Sequence, residues 1–127
     1  MIPAREINLG NIMIHPNSGE PCVIEPQDML SIMERELNGY NQNYEPIPLD
    51  AEWLERFSFK QVKLDRTPFY ELTIENIKFI YYAGNLDFGV MGISQYEFVR
   101  MPKIKYVHQL QNLYYCLTHT ELTKKEI

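Results

Sequence analysis

The strongest hydrophobic pattern in the chain lies near its end, between Ile104 and Leu117. At 100° per residue, the apolar residues of this stretch fall within one arc of roughly 120°, which predicts an amphipathic helix. A stripe of that width is suited to covering one face of a sheet. The stripe consists of Tyr106, Val107, Leu110, Leu113, Tyr114 and Leu117.

The opposite side of this predicted helix is polar but carries no charge, because no Lys, Arg, Asp or Glu occurs from Tyr106 to Thr120. Exposed helix faces usually carry charges, which cost little there and keep a protein soluble. The uncharged face therefore predicts a second contact. Its cover is either the N-terminal hairpin or the Pro46–Pro48 loop of the same chain, or else a partner protein or a second copy. The candidate interaction residues are His108, Gln111, Asn112 and Tyr115, at i, i+3, i+4 and i+7.

The first third of the chain predicts a β-hairpin followed by a helix. Residues 7–15 have the alternation of a strand, and residues 22–24 form a short second strand that pairs back on it. Pro26 suits the first position of a helix, and Gly39 suits a left-handed helix end. The apolar residues at helical spacing in this segment, which we expect to be buried, are Met29, Ile32, Met33 and Leu37.

A second, shorter helix is predicted after a proline-containing loop at residues 40–48. Asp50 is placed to cap the free amides of the first turn. Trp53, Leu54 and Phe57 share one apolar face, so we expect the single Trp to be a core residue.

The hydrophobic period changes from Gln61 onward, where apolar and polar residues alternate as they do in β-strands. Short turn-like segments separate four or five such runs before Arg100, which is typical of an antiparallel meander. We therefore expect an α+β fold in a single domain spanning residues 1–127. Its parts are an N-terminal β-hairpin, two short helices, a meander of four or five strands and a C-terminal helix that covers the meander.

Charge is unevenly distributed along the 127 residues, whose net charge is −5. Residues 1–57 contain three basic and ten acidic side chains, whereas residues 58–105 contain seven basic and five acidic side chains. The acidic first part repels nucleic acid and disfavours general polyanion binding. The two cysteines lack the spacing of a disulfide framework, which predicts free thiols in a reducing compartment. The N-terminus does not resemble a leader, and no apolar run reaches membrane-spanning length. We therefore expect a cytoplasmic protein without membrane contact.

The sequence predicts neither a cofactor nor a metal site. It contains no glycine-rich phosphate loop of either common type. His108, Cys116 and His119 share one side of the closing helix, but eight residues separate His108 from Cys116. That spacing corresponds to about 12 Å along the helix axis. A zinc ion holds its ligands within about 2.3 Å, so these two side chains do not share one ion.

Three segments have recognisable sequence motifs: Leu-Gly-Asn at residues 9–11, Glu-Pro-Ile-Pro-Leu-Asp-Ala-Glu-Trp-Leu-Glu-Arg-Phe at 45–57, and Val-His-Gln-Leu-Gln-Asn-Leu-Tyr at 107–114. Together they resemble a family of small uncharacterised proteins from gut anaerobes of the Bacteroides type, their phages and mobile elements. The resemblance implies a small accessory role related to phages, and it transfers no activity, cofactor or catalytic residue. Residues 118–120 are Thr-His-Thr where similar sequences have Thr-Gly-Glu, so we expect a different helix end here.

The function that fits these patterns best is a non-enzymatic accessory or protein-interaction module, with no catalytic residue assigned. One alternative is a small enzyme that uses His108 as general acid or base. Another is single-stranded nucleic-acid binding by strand aromatics with basic neighbours. Those aromatics are Tyr81, Tyr82, Phe88 and Tyr96, and their basic neighbours are Lys78, Arg100, Lys103 and Lys105.

Overall fold

The computed structural model describes the backbone of residues 6–64, 67–74, 76–82, 87–92, 98–101 and 104–122. Within these ranges the chain forms three helices and seven strands, in the order ββααβββββα. The predicted α+β fold is confirmed, with an N-terminal hairpin, a five-stranded antiparallel sheet and a C-terminal helix. No helix in the described part of the chain has the length and apolar character of a bilayer-spanning segment.

The chain divides into two compact units, and the first of them is built from two separate stretches of sequence. This first unit comprises Met1–Pro48 and Tyr106–Glu121, and the second comprises Leu49–Lys105 and Leu122–Ile127. The C-terminal helix thus belongs to the same unit as the N-terminal hairpin and not, as its apolar stripe predicted, to the unit that contains the meander.

The first unit opens with an antiparallel hairpin of β1 (Ile12–Ile14) and β2 (Pro21–Val23), in which Met13 pairs with Cys22. The predicted hairpin is confirmed, although β1 is much shorter than residues 7–15. Asn11, Ile12 and Met13 are all buried, and Met13 has no exposed surface. Burial of consecutive residues means that both sides of β1 are covered, which removes the alternation expected of a half-buried strand.

Helix α1 (Pro26–Leu37) begins at Pro26, as predicted. It ends in a Schellman motif, in which the Gly39 N–H donates to the Glu36 carbonyl at 3.1 Å and the Tyr40 N–H donates to the Arg35 carbonyl at 2.8 Å. Gly39 has a φ of +81°, a conformation that carries no steric cost for glycine. The sequence-based prediction of this helix end is confirmed.

The buried face predicted for α1 is only partly correct. Ile32 is fully buried and Met29 is half-buried, but Met33 is 51% exposed and Leu37 is 85% exposed. The rest of the first unit contacts α1 along a narrow strip, so the other apolar side chains of this helix stay exposed. Ile32 joins a cluster of buried residues that also contains Ile7, Met13, Ile24 and Tyr44.

Helix α3 (Val107–Thr118) completes the first unit. Its Val107 N–H donates to the Ile47 carbonyl at 2.8 Å, and the contacts that define its place in this unit are made with β1. Val107, Leu110 and Tyr114 of the predicted stripe are buried, Leu113 is half-buried and Leu117 is 40% exposed. The helix ends at His119, whose φ of +59° is the left-handed conformation that glycine adopts most easily.

The second unit begins with α2 (Ala51–Arg56), whose first turn is capped as predicted. The Asp50 carboxylate accepts a hydrogen bond from the Trp53 N–H at 3.0 Å. Trp53, Leu54 and Phe57 are all buried, which confirms the Trp as a core residue.

The sheet of the second unit is an antiparallel meander in which each strand pairs with its neighbour in sequence. Phe79, Ile80 and Tyr81 are consecutive and buried, so both faces of the central strand are covered at this point. Tyr96 and Lys103 lie outside the described residues. The five strands are β3 (Lys60–Leu64), β4 (Thr67–Ile74), β5 (Ile77–Tyr82), β6 (Asp87–Gly92) and β7 (Phe98–Arg100).

The two sides of α1 should respond differently to truncation. We expect Ile32→Ala to lower the free energy of unfolding by about 2–5 kcal/mol, because it opens a cavity in a small core. Leu37→Ala removes a mostly exposed side chain and should change stability by less than about 0.5 kcal/mol. Urea denaturation of both variants measures the contrast, and equal losses would contradict this orientation of α1.

Candidate interaction surface

The predicted uncharged face of α3 is largely covered by the chain itself. Gln111 is 7% exposed, and its carboxamide bonds in both directions to the segment that leads into β1. The Gln111 Oε1 accepts from the Ile12 N–H at 2.7 Å, and the Gln111 Nε2 donates to the Gly10 carbonyl at 3.0 Å. One side chain therefore satisfies both the buried N–H of Ile12 and the carbonyl of the half-buried Gly10.

The neighbouring Asn112 repeats this arrangement one residue further along the helix. Its Nδ2 donates to the Glu6 carbonyl at 3.0 Å, and its Oδ1 accepts from the Asn11 Nδ2 at 2.8 Å. Asn11 in turn accepts a hydrogen bond from the Asn8 N–H at 2.7 Å, which holds the local turn. Of the two covers that the sequence left open, the structure has the internal one, formed by residues 6–12.

His108 lies fully buried on the same helix, and neither of its ring nitrogens has a hydrogen-bond partner among the described residues. Its ring stacks on the Tyr106 ring, with the centroids 6.1 Å apart. Burial lowers the pKa of His108 below its ordinary value, while the Glu6 carboxylate acts in the opposite direction. A neutral ring without exposed surface meets no substrate in this conformation.

Tyr115 is the most exposed member of the predicted interaction set, with 53% of it exposed, whereas Asn112 is half-buried. Cys116 beside it is an exposed free thiol. The interaction face predicted for α3 is therefore reduced to the end of the helix. Sequence periodicity placed all four residues on one side but carried no information about which of them another segment would cover.

A polar cluster holds the inner side of α1 against the hairpin. The Tyr44 hydroxyl donates to the Asp28 carboxylate at 2.5 Å, and the His15 Nε2 lies 4.0 Å from the same oxygen. Burial alone would raise the pKa of Asp28, but the hydrogen bonds from Tyr44 and the Glu25 N–H, with the nearby His15, lower it overall. This carboxylate is thus an ionised anchor for α1.

The same cluster is poorly arranged for acid–base catalysis. The His15 Nδ1 accepts a hydrogen bond from the Asn17 N–H at 3.1 Å, which places the proton of the neutral ring on Nε2, facing Asp28. No ring lone pair is then free to take a proton from a substrate. Burial raises the pKa of the Cys22 thiol, and the negative charges of Asp28 and Glu25 raise it further. The nucleophilic thiolate is therefore disfavoured.

The outer side of α1 carries an apolar ridge that the sequence analysis assigned to the core in part. Leu30 is 67% exposed, Met33 51% and Leu37 85%, and at 100° per residue the three lie within roughly 60° of arc. We call these three residues the α1 ridge. Periodicity alone does not separate the ridge from the pair Met29 and Ile32, because at 100° per residue Met29 lies about 40° from Met33 and all five side chains form one arc of roughly 160°.

Other sites considered from the sequence receive no geometric support. Tyr81 and Phe88 of the aromatic sheet are buried, so their faces are not available for stacking on bases. Within the described part of the chain, no group of three or more His, Cys, Asp or Glu side chains is arranged to hold a metal ion.

No protein-family model matches the chain, and neither a curated protein nor a solved structure is significantly similar to it. The family resemblance therefore stays a prediction. The segments that carry it do contact one another in the structure, since residues 9–11 bond to Gln111 and Asn112, and Ile47 bonds to Val107.

Gln111 should be one of the most sensitive positions of the first unit. We expect Gln111→Ala to lower the free energy of unfolding by about 2–4 kcal/mol, since it leaves the Ile12 N–H and the Gly10 carbonyl without partners. Tyr115→Ala on the exposed end of the same helix is the matched control, with an expected change below about 1 kcal/mol. A Gln111→Ala protein that melts like the wild type would refute the internal cover.

His108 should make stability depend on pH in one direction. Its folded pKa lies below the ordinary value of 6.5, so the unfolded chain binds the proton more readily. The free energy of unfolding should then fall as pH drops below about 6.5, by at most about 1.4 kcal/mol per pH unit. Asp28 has a lowered pKa, so the stability that its carboxylate provides is lost only at pH values near and below its ordinary pKa of 3.8, outside this window.

The measurement is urea denaturation between about pH 7.5 and about pH 5, with His108→Leu as the control. The variant lacks the titrating group, so its stability should vary less over this range. Parallel pH profiles for the two proteins would show that His108 is not the group responsible.

Proposed function

We propose that this protein is a non-enzymatic protein-interaction module, and that α1 presents its binding surface. The observation that carries the proposal is the exposure of the α1 ridge on a twelve-residue helix. Large aliphatic side chains grouped on one exposed helix face usually mark a contact with another molecule.

The spacing of the ridge supports a specific mode of binding. Leu30, Met33 and Leu37 stand at i, i+3 and i+7, the anchor positions that an amphipathic helix places into an apolar groove. Tyr40, which is 64% exposed, lies three residues beyond the last residue of the helix and adds an aromatic side chain to the exposed surface at that end. Tyr side chains are frequent at the centres of protein interfaces, where they give apolar contact and one hydrogen bond.

The inner side of α1 supports the proposal as well, since a docking helix must be held in place. Ile32 inserts into the core, and the hydrogen bond between Tyr44 and Asp28 fixes the first turn. The Schellman motif at Gly39 fixes the end. A rigid helix loses little conformational entropy on binding, so its apolar contacts contribute more fully to affinity.

The proposal extends to an accessory role connected with phages or mobile elements, which rests on the resemblance alone. We also propose that the protein is cytoplasmic. Cys22 and Cys116 are free thiols and Cys116 is exposed, which suits a reducing compartment.

Site-specific photo-crosslinking in the native host tests this function. A benzoylphenylalanine at Met33 should give a discrete protein adduct, identified by mass spectrometry, whereas the same probe at the exposed Glu55 of α2 should not. Adding Leu30→Ser and Leu37→Ser should lower the adduct yield by about tenfold or more, because interface anchors contribute about 1–2 kcal/mol each.

The double Ser variant must keep its thermal stability for this comparison, and the exposure of both side chains predicts that it does. Two results would contradict a binding role for α1. One is that the probes at Met33 and Glu55 give the same adducts, and the other is that the double substitution leaves the adduct yield at Met33 unchanged.

A further inference from the structure

From the charges around the α1 ridge we infer the chemistry of its partner: a protein whose groove has an apolar floor and a rim of Lys and Arg side chains. This inference rests on the proposed function. Its basis is the pair Glu34 and Glu36, which are both exposed and make no ion pair among the described residues.

The two glutamates stand on opposite sides of the ridge. At 100° per residue, Glu34 lies about 40° from Leu30 on one side, and Glu36 lies about 60° from Met33 on the other. An apolar groove that accepts the ridge must therefore bring its two edges close to these carboxylates. Lys or Arg at both edges would match them, whereas acidic edges would be repelled.

The only basic residue of α1 does not offset this charge at the ridge. Arg35 is half-buried and lies about 140° from Leu30 around the helix axis. Its Nε donates to the Asn41 carbonyl at 2.9 Å, and its guanidinium lies over the Tyr40 ring at 5.6 Å. The surface that α1 offers to a partner is thus apolar at its centre and negative at both margins.

This charge pattern argues against the other occupants of an apolar helix face. Two copies packed ridge to ridge would place Glu34 and Glu36 of one chain beside the same residues of the other, which is a like-charge contact. Anionic membranes attract helices that carry Lys and Arg on the polar face, and nucleic acids require the same positive charge.

Binding kinetics with the crosslinked protein, once purified, test the inference. Raising NaCl from about 50 mM to about 500 mM should slow association by about tenfold, because opposite rim charges steer the encounter. The double change Glu34→Lys and Glu36→Lys should slow association to a similar degree and remove most of the salt dependence. A matched control, Glu20→Lys with Glu45→Lys, changes the net charge equally at exposed positions outside α1 and should bind like the wild type.

The possible results separate this inference from the proposed function. Binding that depends on Leu30 and Leu37 but not on salt or on Glu34 and Glu36 would overturn the basic rim and leave the interaction module intact. An adduct between two copies of the chain would do the same. Equal effects of the two Glu→Lys pairs would attribute the salt dependence to net charge and would also overturn the inference.

Discussion

The attachment of α3 to the start of β1 depends on the carboxamide of Gln111. The Gln111 side chain bonds to the Ile12 N–H and the Gly10 carbonyl, at sequence separations of 99 and 101 residues. The Gly10 carbonyl lies in a turn where Gly10 adopts a φ of +86°, and the Ile12 N–H belongs to the first residue of β1. An apolar residue in place of Gln111 would bury the same area and leave two polar groups unsatisfied, which is why an uncharged polar face was needed on α3.

Features that depend on neighbouring residues were predictable from the sequence. The Asp50 cap, the Gly39 helix end and the strands after Gln61 all follow from chemistry within a few positions, and the structure has each of them. The segment that covers α3 was harder to predict from the sequence, because a carboxamide pairs equally well with any backbone N–H and carbonyl. Periodicity identified a face that needed a partner but not the partner, the segment 6–12.

The candidate surface was missed for a related reason. The apolar residues of α1 form one arc of roughly 160°, which is wider than the strip that the core covers, and hydrophobic spacing alone grouped Ile32 with Met33 and Leu37. Only tertiary contacts decide which part of this arc faces the core, here the insertion of Ile32 and the Tyr44–Asp28 hydrogen bond.

The division of the first unit between two stretches of sequence has a consequence for biosynthesis. The hairpin and α1 leave the ribosome before any residue of α3 has been made, so β1 emerges without the carboxamides that later pair with its backbone. The second unit, mostly contained between Leu49 and Lys105, is translated inside this interval. Closing a loop of this length costs entropy before its contacts form. A nascent chain that pauses before Tyr106 would expose the hairpin to chaperones and proteases, so translation speed through the sheet sets how long that exposure lasts.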